Sequence, residues 1–72
     1  MKSQITSILP SGYGHKKVTI TYSNGKNYSA VTDHMDLIDQ YNSETFSRRQ
    51  ERERNRAIRY LIRIVKDKNN LR

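Results

Sequence analysis

Polar and apolar residues alternate from 17 to 22: Lys17, Thr19 and Thr21 on one side, Val18, Ile20 and Tyr22 on the other. A period of two in a β-branched run predicts a strand with one face inward. Asn24-Gly25 follows at once, a strong hairpin signal. Residues 27–32 then read as a returning strand, and residues 4–9 as a first one. The first two are separated by the loop residues Pro10, Ser11, Gly12 and Gly14.

Two hairpin registers fit this sequence. A two-residue turn at Asn24-Gly25 pairs Ile20 with Ser29 and Val18 with Val31. A three-residue loop, Ser23-Asn24-Gly25, pairs Ile20 with Tyr28 and Val18 with Ala30 and puts Gly25 in the left-handed position of a bulged turn. The second collects Val18, Ile20, Tyr28 and Ala30 on one face and is preferred, because register follows the apolar pattern. The other face then carries Lys17, Thr19, Thr21 and Ser29, open to solvent or a ligand.

Past residue 32 the period lengthens. His34, Leu37, Ile38 and Tyr41 follow helical spacing, after Thr32-Asp33 and with Asp33 and Asp36 at the positive end of the dipole. This predicts a short helix within 33–41. Asn42-Ser43 breaks it, and a long helix is expected over 43–68, with Ser47 and Gln50 spaced for a second cap. Glu44–Arg48, Arg49–Glu53 and Arg63–Asp67 are candidate ion pairs one turn apart. Asn69-Asn70 should end the helix and leave a tail over 69–72. The resulting fold class is α+β, as one domain over 1–72. A three-stranded antiparallel meander (4–32) precedes the short helix and a long amphipathic helix packed on one sheet face. Leu61 is the expected anchor of that helix against Ile20 or Val18.

The long helix has an unusual polar face. At about 100° per residue, Arg48, Arg52, Arg56, Arg59, Arg63 and Lys66 fall within an arc of about 80°. Ile58, Leu61, Ile62 and Val65 point roughly the other way. In the first half of the helix, Gln50 and Arg54 hold the sector that Leu61 and Val65 occupy later. Residues 47–56 are therefore expected to project beyond the sheet or to meet another molecule.

Composition narrows the possibilities. Ile, Leu, Val and Phe make up about a fifth of the 72 residues, enough only for a small core. The net charge of +7 is lopsided: residues 1–42 carry +1 and residues 43–72 carry +6. Guanidinium groups suit phosphate, so the asymmetry points to nucleic acid or an acidic surface as partner, against the plainer reading of a solvated helix face. There is no cysteine, hence no disulfide framework or thiolate metal site. Neither a secretory leader nor a membrane span is expected, which places the chain in the cytoplasm. Asn27-Tyr28-Ser29 matches the glycosylation sequon, an idle match without secretion.

No motif names a reaction. His15 and His34 are the only histidines, and neither a nucleophile motif nor a glycine-rich phosphate loop is present. His34 reads as a partly buried helix residue. Asp33, Asp36 and Asp39 look like metal ligands but are explained by the helix start, so no metal and no cofactor are expected. Gly12-Tyr13-Gly14 overlaps the RNP1 motif of RNA-recognition modules. Ser11 stands where that motif has a basic residue and His15 where it has a stacking aromatic, so the segment reads as an inter-strand loop. Tyr13 remains available for base stacking, with Lys16 and Lys17 for phosphates. The other tyrosines are assigned mainly to packing.

In element order and size, over residues 4–66, the arrangement resembles the sheet-plus-helix DNA-binding modules of phage-type integrase arm-binding domains and plant AP2 domains. The short helix departs from that outline and no residue motif is shared. The expected function is a non-enzymatic nucleic-acid-binding module, DNA ahead of RNA. Its candidate contacts are Arg48, Arg52, Arg56, Arg59, Arg63, Lys66, Lys16, Lys17 and Tyr13, with either the arginine face or the polar sheet face engaged. The alternative is a protein-interaction module, a homodimer or a dock for an acidic protein, using the polar half of the long helix. A monomer is expected ahead of a dimer.

Overall fold

A computed structural model describes residues 2–71. Three strands, β1 (Ser3–Pro10), β2 (Lys16–Tyr22) and β3 (Asn27–Thr32), form one antiparallel sheet in the order β1-β2-β3. Two helices follow, α1 (Met35–Asn42) and α2 (Arg48–Lys68), and α2 packs on the sheet. The expected α+β architecture is present, with strand ends moved by one residue at β1 and β2. The bounds expected at Met1 and at Arg72 lie outside the described residues.

The β2–β3 hairpin adopts the three-residue loop. Ile20 pairs with Tyr28 and Val18 with Ala30. The Tyr22 amide donates to the Lys26 carbonyl and the Gly25 amide to the Tyr22 carbonyl, each at 2.9 Å. Gly25 sits at φ +88°, a conformation costly for any residue with a Cβ. The apolar pattern thus decides the register.

β1 solves a spacing problem that is visible in its sequence. Ile5 and Ile8 are an odd number of residues apart, so a regular strand would send them to opposite faces. The register shifts between Ile5 and Ser7, so that Ile5 pairs with Ile20 and Ile8 with Val18. This β-bulge lets both isoleucines pack on the core. Thr6, at the irregularity, shares a 2.9 Å hydroxyl contact with Thr21, whose hydroxyl donates to the Asn27 side-chain oxygen at 2.7 Å.

The core is Val18, Ile20, Ile38, Leu61 and Val65, each essentially without solvent exposure. Leu61 is on the sheet as expected. The inward stripe of α2 is Ala57, Leu61 and Val65, while Ile58 and Ile62 flank it half-buried. The front half of α2 corrects part of an expectation: it does not project without packing of its own. There α1 packs alongside. The Arg54 Nε donates to the Tyr41 carbonyl at 3.0 Å, and its guanidinium lies 5.0 Å from the centre of the Tyr41 ring. Two residues that interrupt the apolar stripe are therefore occupied: Arg54 by α1, and Gln50 by the helix start.

That start lies at Arg48, five residues later than the sequence suggests, because Ser43 closes α1 instead of opening α2. Its hydroxyl donates to the Gln40 carbonyl at 2.8 Å. Ser47 is the N-cap and accepts the Gln50 amide at 3.3 Å, while the Gln50 side-chain oxygen takes the Phe46 amide at 2.8 Å. This is a capping box drawn out by one residue. Glu44 consequently lies before the helix and forms no ion pair with Arg48; the pairs present are Arg49–Glu53 at 3.5 Å and Arg63–Asp67 at 4.0 Å. At the other end, Asn70 (φ +57°) donates to the Asp67 carbonyl and Leu71 to that of Lys66, the bonding of a Schellman stop. The Asn69 side chain donates to the Ser29 carbonyl at 2.9 Å and the Lys68 ammonium to that of Val31. The end of α2 thereby covers acceptors of edge strand β3.

Candidate nucleic-acid interface

The buried stripe fixes where the arginine arc points. Ala57, Leu61 and Val65 centre about 180° around the helix from the cations, so a helix held by that stripe turns its cations outward. Arg48, Arg52, Arg56, Arg59 and Arg63 are all exposed, and Lys66 is half-buried. Glu51, Glu53 and Asp67 fall outside the arc. Among the described residues, Arg63 is the only member of the arc with a carboxylate in reach, Asp67 at the limiting 4.0 Å. The row from Arg48 to Lys66 runs about 27 Å at 1.5 Å per residue.

Three shallow concavities punctuate this row. Arg52, Asn55, Arg56, Ile58 and Arg59 line the first, and Arg56, Arg59, Tyr60 and Arg63 the second. The third joins Arg59, Ile62, Arg63 and Lys66 to Lys2 and Ser3 of the sheet. Tyr60 and Lys2 are absent from the residues expected at the interface. Tyr60 is 43% exposed, with the Arg56 guanidinium 5.4 Å from its ring centre, so it belongs to the cationic face and not to packing. The four-residue spacing of Arg56 and Tyr60 is the local signal for this contact. Lys2 has no local signal, since only the folding of β1 beside α2 brings it there.

The remaining expected contacts lie elsewhere. Lys17 pairs with Leu9 and Val31 and is on the sheet face opposite Val18, away from α2. Thr19, Thr21 and Ser29 share that face. Lys16 is half-buried at the end of β2 that leads to the β1–β2 loop. Tyr13 is fully exposed at the tip of that loop, at φ +52° between Gly12 (+82°) and Gly14 (+77°). Eight residues of β1, roughly 25 Å of strand, separate the loop end of the sheet from the Lys2 end. The structure therefore gathers the six cations of the α2 arc and separates Tyr13, Lys16 and Lys17 from them.

Other chemistry-bearing groups are isolated. His34 is exposed at the N-cap position of α1, not partly buried within the helix, and its side chain makes no capping bond. Its backbone amide donates instead to the Thr32 hydroxyl at 3.2 Å. Asp33, Asp36 and Asp39 are exposed, and among the described residues no group of three or more His, Asp or Glu side chains is placed to hold a metal ion. No described helix is long and apolar enough to cross a membrane. Compared with known proteins, the chain matches no family, no curated protein sequence and no solved structure.

Proposed function

We propose that this protein is a small, non-enzymatic nucleic-acid-binding module that grips the phosphate backbone, of duplex DNA in the first place, through the outward face of α2. The observation that carries this reading is the uninterrupted row of exposed guanidinium groups, turned away from the core and almost free of carboxylates. Ordinary solvated surfaces intersperse charges of both signs; this face is almost wholly of one sign. Arginine's planar fork suits phosphate oxygens, and a row about 27 Å long covers the axial rise of roughly eight base pairs of duplex.

The competing site is the open sheet face. Its Thr19, Thr21, Ser29 and Asn27 are hydrogen-bonding groups, but among the described residues its cations are few, Lys17 on the face and Lys2 at its corner, which favours the helix as the source of electrostatic affinity. The protein-interaction alternative drew on a polar half-helix without packing, and α1 provides that packing. The test is the double variant R52Q/R56Q. Both side chains are exposed, so the fold should survive. Losing two phosphate contacts should weaken duplex binding more than tenfold at about 0.1 M salt. Wild-type affinity in a folded double variant would remove the site from α2.

A further inference from the structure

Of the three hollows along the cationic row, two are lined by α2 alone and the third lies where the row meets the sheet. There, Arg59, Arg63 and Lys66 from the helix and Lys2, which leads into β1, line one shallow cleft of about 420 Å³, with Ile62 and Ser3 completing the wall. Four positive groups, three from α2 and one from the residue before β1, line the same hollow, against three in each of the two hollows lined by α2 alone. Concave walls also focus a field that a convex helix face disperses.

The backbone of Lys2 and the ammonium of Lys66 each have a partner behind the cleft. The Lys2 carbonyl accepts the Ser23 amide at 3.0 Å, which ties the Lys2 backbone to the end of the β-ladder. The Lys66 ammonium lies 5.7 Å from the centre of the Tyr22 ring, and Tyr22 in turn packs edge-on against Tyr28 with centroids 5.6 Å apart. The cleft is thus presented by rigid elements, so less ordering entropy is lost when an anion enters.

We propose that this cleft is the principal phosphate subsite: a backbone phosphate sits between Lys2 and the Arg59–Arg63 pair, where the nucleic acid passes from α2 towards the sheet. The proposal rests on the nucleic-acid reading above for the source of the phosphate, and adds Lys2 as a ligand from outside the helix. Lys2 also lines the adjoining hollow formed with Gln4, Thr21 and Ser23, so it stands at the corner between the cationic face and the polar sheet face.

Two measurements separate this proposal from the function it deepens. The first compares duplex DNA binding by K2Q with that by K26Q, a control at the exposed β2–β3 turn, after thermal melts confirm that both fold. The slope of log K against log salt should fall by about 0.9 in K2Q and stay unchanged in K26Q. Where duplex binds, an unchanged slope in K2Q overturns the cleft and leaves the nucleic-acid reading standing. The second titrates inorganic phosphate while following backbone amides by NMR. The amides of Lys2, Ser3, Ile62 and Arg63 should shift saturably in wild type and much less in K2Q. Where duplex does not bind, saturable shifts keep the cleft as a phosphate site and end the nucleic-acid reading; no shifts end both.

Discussion

Over its last turns α2 sets Leu61 and Val65 into a core with Val18 and Ile20; over its first turns the same angular sector holds Gln50 and Arg54. The rear half is held by burial of apolar surface. The front half is held by a cap, by one charged hydrogen bond to the Tyr41 carbonyl and by a guanidinium against a ring. Yet the outward cations run across both halves without a break. The contrast shows that a straight cationic edge does not need a uniform foundation. It needs each turn to be fixed by something, and α1 supplies what the sheet does not reach.

If this division is right, damage to the rear half is global and damage to the front half is local. Leu61→Ala should have the largest effect, about 2–4 kcal/mol of lost stability through lost burial and a cavity. For a domain of this size that is a large share of the total. A melting temperature unchanged by this substitution would show that the wrong helix face has been placed inward.

Arg54→Ala comes next, at about 1–2 kcal/mol, from the lost hydrogen bond to Tyr41 and the lost ring contact. Its signature is regional: amides of residues 48–56 should exchange faster, while those of 61–65 keep their protection. Uniform loss of protection would mean that the two halves of α2 melt as one unit. Ser47→Ala removes the cap and should cost about 1 kcal/mol, again confined to the first turns. Arg49→Ala touches only an exposed ion pair with Glu53 and should change stability by no more than about 0.5 kcal/mol. A larger loss there would reveal a role for Arg49 that its exposed position does not suggest.

The same division marks what the sequence makes legible. Alternation at 17–22 and the Asn24-Gly25 turn yield the strands, the hairpin register and the inward face, because local pattern and tertiary packing agree there. The cationic arc and the Leu61 anchor follow from helical period alone. The front of α2 is not legible in this way, since a polar residue in an apolar sector reads as an unpaired surface until Tyr41 is placed beside it. The start of α2 is ambiguous in the sequence because Ser43 and Ser47 both look like caps; the Ser43 bond to Gln40 and the Gln50 bonds to Ser47 and Phe46 favour the later one. The bulge that puts Ile5 and Ile8 on one face is a product of pairing with β2. Tyr60 had a visible signal in its spacing from Arg56, whereas Lys2 reaches the cationic face through tertiary structure only.

The central claim is that the outward face of α2 binds nucleic-acid phosphates. The most direct test is the slope of log K against log salt for the wild-type protein on duplex DNA. Engagement of four or five of the six cations predicts a slope of about −4, at roughly 0.9 per phosphate contact, with affinity falling by more than a hundredfold between about 50 and 200 mM salt. A slope near zero, or no measurable binding at the lower salt, would contradict it.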